Sequence, residues 1–285
     1  MNLNDYLKEA REKGQAIGHF NFATADMAKA IVEASKESGA NAVMLGTSEG
    51  ESEFFGYAEA AALVGALRED FDFPVFLNAD HFKSFEKCQA AIDAGYDSIL
   101  IDGSKLQFDE NISLTKRVVE YARSVNKDIS VEGELGYLRG SSEVQSKIEI
   151  SPDDYTKPEE AARFVQETGV DRLAVVFGNI HGIVTEQEEK LDLEHFKKIV
   201  SVLPDIYFVL HGASGLKDDD VAGAIKAGIA NVHFNTELRV AYHDALDKTM
   251  DDNPSETTPY KYLGPAVEEV KKLVSQKTKL FLGQY

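Results

Sequence analysis

PVFLNADHFKSFEKCQAAIDAGYDSILIDGS, residues 74–104, carries one full repeat of the pattern that decides the fold. Pro74–Leu77 is short and continuously apolar, as expected of a parallel strand covered on both faces. It runs into polar Asn78, Asp80 and His81. Phe85–Ala94 has helical spacing and meets Gly95, which suits a left-handed helix stop. A second apolar run, Ser98–Ile101, follows and ends on Asp102-Gly103-Ser104. Outward from this unit the same alternation recurs. Strands are predicted over Ala16–Phe20, Asn41–Leu45, Ile129–Glu132, Leu173–Phe177, Ile206–Leu210 and Ile229–Phe234. Helices are predicted over Met27–Ser38, Ala58–Arg68, Ile112–Asn126, Pro158–Thr168, Leu193–Val202, Asp218–Ala227 and Thr236–Lys248. The joints ESGAN, ETGVD and KAGIA repeat the helix–glycine–strand step of DAGYD. Eight strands alternating with eight helices predict an α/β fold of the (β/α)8 TIM-barrel type. One barrel domain is expected over residues 1–285. Residues 251–285 form an added C-terminal element with a helix at Ala266–Ser275, covering the barrel or serving a dimer contact.

Three histidines stand where apolar runs stop: His81, His181 after DRLAVVFGNI, and His211 after IYFVL. If the strands share one sheet, these imidazoles converge at its carboxyl end, where barrel enzymes place their chemistry. Three histidines with an open fourth position suit catalytic zinc. Asp80, beside His81, can exchange a proton with a substrate oxygen; alone, this Asp-His pair would equally suit the cap of the following helix. Glu132 and Glu134 alternate onto one face. Both could bind a cation or shuttle protons, although for Glu132 a salt bridge to basic groups inside the barrel is favoured. Asp102 is either part of this cluster or a turn cap. HGASG, residues 211–215, brings small residues whose N–H groups could cradle an anion. Asn235-Thr236 opens a helix with the same potential. His19 and His233 end strands and could line the pocket, with packing as the default; His195 and His243 are assigned to the surface. Cys88 reads as a buried, inert thiol.

The chain has 49 acidic against 30 basic residues, a formal net charge of −19, which disfavours nucleic acid as a partner. A single cysteine excludes an internal disulfide framework and points to a reducing cytoplasm. The amino terminus, MNLNDYLKEAREKG, is amphipathic and lacks the apolar core of a secretory signal. No run approaches the length of a membrane span.

Taken in order, GHFNFAT (18–24), LGTSEG (45–50), NADHFKSFE (78–86), ILIDGS (99–104), VEGELG (131–136), FGNIHG (177–182), HGASG (211–215) and NTELR (235–239) resemble the class II, metal-dependent fructose-bisphosphate aldolases, with the tagatose-bisphosphate aldolases as close relatives. The resemblance covers about Gly18 to Arg239. It implies a homodimeric barrel enzyme of carbohydrate metabolism and glycolysis that cleaves fructose 1,6-bisphosphate to dihydroxyacetone phosphate and glyceraldehyde 3-phosphate through a zinc-stabilised enediolate. It implies Zn2+ on His81, His181 and His211, with Glu134 and Asp102 at a second or alternative metal position, and often a monovalent cation, Na+ or K+. Asp80 matches the residue that exchanges a proton with the aldehyde-derived oxygen. Gly182, Gly212, Ser214, Asn235 and Thr236 match positions near the ketose phosphate, and Asn21 and Ser48 further substrate-side positions.

Three departures stand out. Relatives carry a mobile-loop glutamate after the strand-five ELG, but here the chain reads ELGYLRGSSEV, with Ser142 at the aligned place and Glu143 one step on. Either Glu143 takes the role after a one-residue slip, another group does, or activity is lost. Arg139 in the same loop either contacts a phosphate or faces solvent. His233 replaces a substrate-side asparagine, and the lysine usual after the HisGly of strand six is missing. The alternatives are therefore an aldolase for tagatose bisphosphate or another ketose phosphate, a zinc hydrolase, and a catalytically impaired sugar-phosphate-binding regulator.

Overall fold

In a computed structural model, residues 1–136, 138–187 and 189–284 are described, without the side chains of Ser141 and Ser142. Ten strands occur: β1 (Ile17–Asn21), β2 (Val43–Ser48), β3 (Val75–Phe82), β4 (Ser98–Ile101), β5 (Ser130–Leu135), β6 (Gly140–Gln145), β7 (Arg172–Val175), β8 (His181–Val184), β9 (Tyr207–Leu210) and β10 (Ile229–Phe234). Eight of them close a parallel barrel in chain order, β1-β2-β3-β4-β5-β7-β9-β10, and β10 pairs back onto β1. This is the predicted (β/α)8 TIM barrel. The helices are α1 (Leu3–Glu12), α2 (Ala25–Glu37), α3 (Glu49–Phe55), α4 (Tyr57–Phe71), α5 (Phe85–Ala94), α6 (Phe108–Val125), α7 (Pro158–Thr168), α8 (Leu193–Val202), α9 (Asp218–Ala227), α10 (Thr236–Asp252), α11 (Pro259–Tyr262) and α12 (Gly264–Phe281).

The barrel interior changes character along its axis. At the amino end Ile17, Met44, Phe76 and Ala230 meet Leu3, Leu7 and Ala10 of α1 in a separate apolar cluster, so the charged N-terminal stretch plugs the barrel floor. Above this lies a polar layer around Arg172, which is fully buried. Its guanidinium donates to Asn231 Oδ1 (2.9 Å) and Asn78 Oδ1 (3.2 Å), and lies 2.6 Å from Glu132 Oε2. A buried charge of this kind is tolerable only when paired and hydrogen-bonded. Glu132 thus takes the salt-bridged place favoured above.

Two features differ from the sequence expectation. The stretch after β5, for which no strand or helix is predicted above, forms β6, which pairs in parallel with β8 as a small second sheet (Gly140↔His181, Val144↔Ile183). Strand β7 stops at Val175, so His181 begins β8 rather than following directly on a barrel strand. The apolar residues Val176, Phe177 and Ile180 between them are buried loop, which a run of hydrophobicity cannot distinguish from strand. The tail forms α11 and α12. Helix α12 packs against α2 and α10, burying Val270, Val274 and Phe281, and so covers the outer wall.

Candidate active site

A cavity of about 340 Å³ opens at the carboxyl end of the barrel. It is lined by Asn21, Ser48, Asp80, His81, Asp102, Glu134, His181, Gly182, His211, Gly212, Ser214, Asn235 and Thr236, all singled out from sequence. Glu143 is the exception: it is exposed on β6 and is not among the lining residues. The one-residue slip therefore does not bring its carboxylate to the cavity. Ser142 at the aligned position has its side chain outside the described residues.

His81 organises the centre. It sits on an irregularity of β3, between Ala79 and Phe82, with φ of +54°. A non-glycine residue in this region is held against its own steric preference, a feature that collects at functional sites. Its Nε2 lies 3.1 Å from His211 Nδ1, and its Nδ1 3.1 Å from Glu134 Oε2 and 3.4 Å from Asp102 Oδ2. Among the described residues neither His81 Nδ1 nor Glu134 Oε2 makes a well-aligned hydrogen bond, although both atoms are buried and only 3.1 Å apart. Burial alone would lower the His81 pKa, but Asp80, Glu134 and Asp102 outweigh it and raise it well above the ordinary value. The surroundings of this ring attract positive charge.

The other two imidazoles approach His81 from different sides. Ring centroids are 4.7 Å apart for His81–His181, 4.5 Å for His81–His211 and 6.5 Å for His181–His211. Two donor sets share His81: His81–Glu134–His181 and Asp80–His81–His211, each with ligand atoms within 4.8 Å. Among the described residues no single donor set contains all three histidines: the expected triad is divided between two sets that overlap at His81, with His181 and His211 the widest pair. Burial, then His81 and His211, lower the His181 pKa well below the ordinary value, so the ring is neutral as a metal ligand requires. His211 Nε2 lies 2.7 Å from Glu132 Oε1, and Arg172 keeps that carboxylate ionised. Nε2–H therefore donates to Glu132, and Nδ1 turns its lone pair to the cavity. This is the carboxylate–histidine support common behind metal ligands. Tetrahedral zinc at ordinary Zn–N lengths places neighbouring donors about 3.3 Å apart. The 3.1 Å His81–His211 separation, the two orphaned atoms and the nitrogen- and oxygen-rich donor set fit such an ion.

Asp80 is held on both oxygens. Asn21 Nδ2 donates to Oδ2 (3.0 Å), and His233 Nδ1 lies 3.2 Å from Oδ1. Burial alone would raise its pKa, but His81, His233 and His19 outweigh it and hold the carboxyl well below the usual range. His233 thus lines the cavity instead of only packing, and His19 stacks beneath it with centroids 3.6 Å apart. His195 also differs from its surface assignment: it is half-buried, with Nε2 2.8 Å from Thr156 O. His243 is on the surface, and Cys88 is buried with its thiol pKa raised by burial.

The loop after β9 and the start of α10 form one wall. Gly212 has φ of +69°, and a Cβ there would stand 1.8 Å from Ile180 O, so only glycine fits. Gly215 N donates to Glu237 Oε1 (2.8 Å), which ties the loop to the first turn of α10. Arg139 neither faces the cavity nor points freely to solvent: it makes a two-pronged bond to Asp154, at 2.7 and 2.8 Å. Sequence reading missed Glu51, Lys83, Lys105 and Arg239 as lining residues. Lys83 and Arg239 lay within quoted motifs, but nothing in the local pattern of Glu51 and Lys105 distinguishes them from surface charges.

A closed parallel barrel with histidines and carboxylates gathered at its carboxyl end is the frame of a metal-dependent barrel enzyme. The family described as fructose-bisphosphate aldolase class-II matches residues 1–284. The fructose-bisphosphate aldolase of Staphylococcus aureus is 37% identical over 284 residues, covering 99% of this chain and 96% of that protein. The 6-phospho-5-dehydro-2-deoxy-D-gluconate aldolase of Bacillus licheniformis is also 37% identical, over 283 residues, covering 99% and 94%. Among solved structures, the YdjI aldolase of Escherichia coli K12 superposes with a TM-score of 0.84 at 31% identity, covering 98% of this chain and 96% of that one. The chain belongs to the class II fructose-bisphosphate aldolase family. It is a carbon–carbon lyase of a zinc-dependent class, and its buried cluster of histidines and carboxylates can hold a metal.

Proposed function

We propose that this enzyme reversibly cleaves a phosphorylated ketose to dihydroxyacetone phosphate and an aldehyde, with fructose 1,6-bisphosphate the first candidate. The observation that carries the reading is Asp80 fixed within one hydrogen-bonded cluster with His81 and His211, at the mouth of the barrel. His81, His181 and His211 would hold zinc, with Glu134 and Asp102 offering an alternative position next to His81. When bound, zinc supplies a Lewis acid for the ketone oxygen. Gly182, Gly212, Ser214, Asn235 and Thr236 would orient the phosphate through backbone N–H groups and the start of α10. In cleavage, Asp80 takes the proton of the hydroxyl on the carbon that becomes the aldehyde. The electron pair of the breaking carbon–carbon bond stays with the ketone fragment. Asn21 and Ser48 stand on the aldehyde side.

The two relatives at equal identity carry names describing different phosphorylated ketones, so the likeness favours a substrate class over one member of it. Tagatose bisphosphate, an epimer at one hydroxyl, is the second reading. The test is a coupled cleavage assay across phosphorylated ketoses, run on zinc-loaded and chelator-stripped protein. Release of dihydroxyacetone phosphate that vanishes on stripping and returns with zinc is expected. Binding of sugar phosphate without cleavage at any zinc level would instead mark a regulator, and phosphate release without carbon–carbon cleavage a hydrolase.

A further inference from the structure

Glu51, on the first turn of α3, is a carboxylate at the cavity wall that the scheme above does not use. Its Oε2 accepts from Ser48 N (2.7 Å) and from Asn21 Nδ2 (3.0 Å). The same Asn21 nitrogen donates its other hydrogen to Asp80 Oδ2 at 3.0 Å. Glu51 Oε2, which already takes the Ser48 N–H, and Asp80 Oδ2 both stand as acceptors, so the amide must present its NH2 to both of them, and the orientation of Asn21 follows. Its Oδ1 is turned away, buried and without a partner among the described residues. An amide that leaves its oxygen unpaired is held in place by the bonds on its nitrogen, and one of those two bonds is to Glu51. Asn21 is thus committed to its carboxylate neighbours and has no N–H left for substrate.

We propose that Glu51 is a positioning residue for the aldehyde half of the reaction: through Asn21 it fixes the Asp80 carboxylate where it meets the substrate hydroxyl. The inference rests on the reading of Asp80 as the group that exchanges that proton. A displacement of reacting groups by about 1 Å can cost a hundredfold in rate, so a loosened Asp80 has a measurable effect. Glu51 also closes a capping box with Ser48, which by itself would explain its presence as a helix cap. The two roles separate experimentally. Asp80 acts on the aldehyde oxygen and not on the carbon-bound proton of dihydroxyacetone phosphate. Loss of positioning therefore slows carbon–carbon cleavage but spares hydrogen exchange into dihydroxyacetone phosphate, whereas a damaged cap affects both.

The experiment measures cleavage kcat, solvent hydrogen exchange into dihydroxyacetone phosphate, and zinc content, on zinc-loaded Glu51→Ala, Glu51→Asp, Glu51→Gln and Asp80→Ala. Glu51→Ala is expected to lose about ten- to a hundredfold in kcat with exchange and zinc content unchanged. Glu51→Asp, which keeps the charge but is one methylene short of Asn21, is expected to behave alike and guards against misfolding of the alanine variant. Glu51→Gln keeps one oxygen able to accept both bonds and is expected to restore cleavage. Equal loss of exchange and cleavage, no loss of either, or failure of glutamine to restore cleavage would each overturn the proposal. Asp80→Ala is the reference. If it shows the split and the Glu51 variants do not, only the role of Glu51 fails; if it does not show it, the Asp80 reading fails as well.

Discussion

Glu132 is in no position to touch substrate, yet its link to His211 sets which nitrogen of that ring faces the cavity. Glu132→Gln should weaken zinc binding by about ten- to a hundredfold, the usual cost of losing such a support. Competition against a chromophoric chelator would measure it, and wild-type affinity would count against the tautomer argument. Glu189 is a second informative residue: it is 5% exposed, both its oxygens lack partners among the described residues, and burial pushes its pKa up to about 8. The unfolded chain releases this proton near the ordinary 4.5, the folded chain near 8. Between those values the folded state binds more protons, so its contribution is complete below the lower value and is lost as pH rises through the higher one. Wild-type Tm should therefore fall relative to Glu189→Gln as pH is raised from 5 to 9. Parallel curves would exclude ionisation of this buried acid.

At the scale of elements, α12 behaves as part of the wall and not as a detachable tail. Phe281 is 1% exposed, its ring lies 6.2 Å from that of Phe20, and its carbonyl accepts from Ala16 N at the entry to β1. Phe281→Ala should destabilise the fold by about 3–5 kcal/mol, a typical cost for a buried aromatic. Urea unfolding tests this, and a change under 1 kcal/mol would show that α12 docks only loosely. The eight barrel strands and their helices were legible because continuous apolar runs and helix-stop glycines are local signals. The β6–β8 pair was not. Its paired residues are far apart in the chain and bear no local pattern, as Gly140 opposite His181 illustrates.

The molecule as a whole carries a formal charge of −19 and is asked to bind an anion. Lys83, Lys105 and Arg239 line the cavity and soften that field locally. Mobile ions screen exposed charge beyond roughly 10 Å at 0.1 M. Raising ionic strength from near zero to that value should accordingly lower KM for the phosphorylated ketose and leave kcat unchanged. Steady-state kinetics in a chloride series would check it; a KM that rises instead would mean that the local lysines dominate approach. Among the described residues no helix is long and apolar enough to cross a membrane.

Periodicity, turn residues and polar groups at the ends of apolar runs were sufficient for the barrel and for the polar clusters at its mouth, because each depends on a few neighbouring positions, whereas Asn21 and Ser48 came only from the family resemblance. The donor geometry was decided only in three dimensions. His81 in a left-handed backbone, the wide His181–His211 separation, the Arg172–Glu132–His211 support and the Glu51–Asn21–Asp80 bridge all join residues from different strands or loops. Glu143 marks the same boundary: aligned one step from a functional place, it is exposed on β6, in the irregular part of that strand's pairing with β8. A strand sends successive side chains to opposite faces, so which face a residue takes depends on its partner strand.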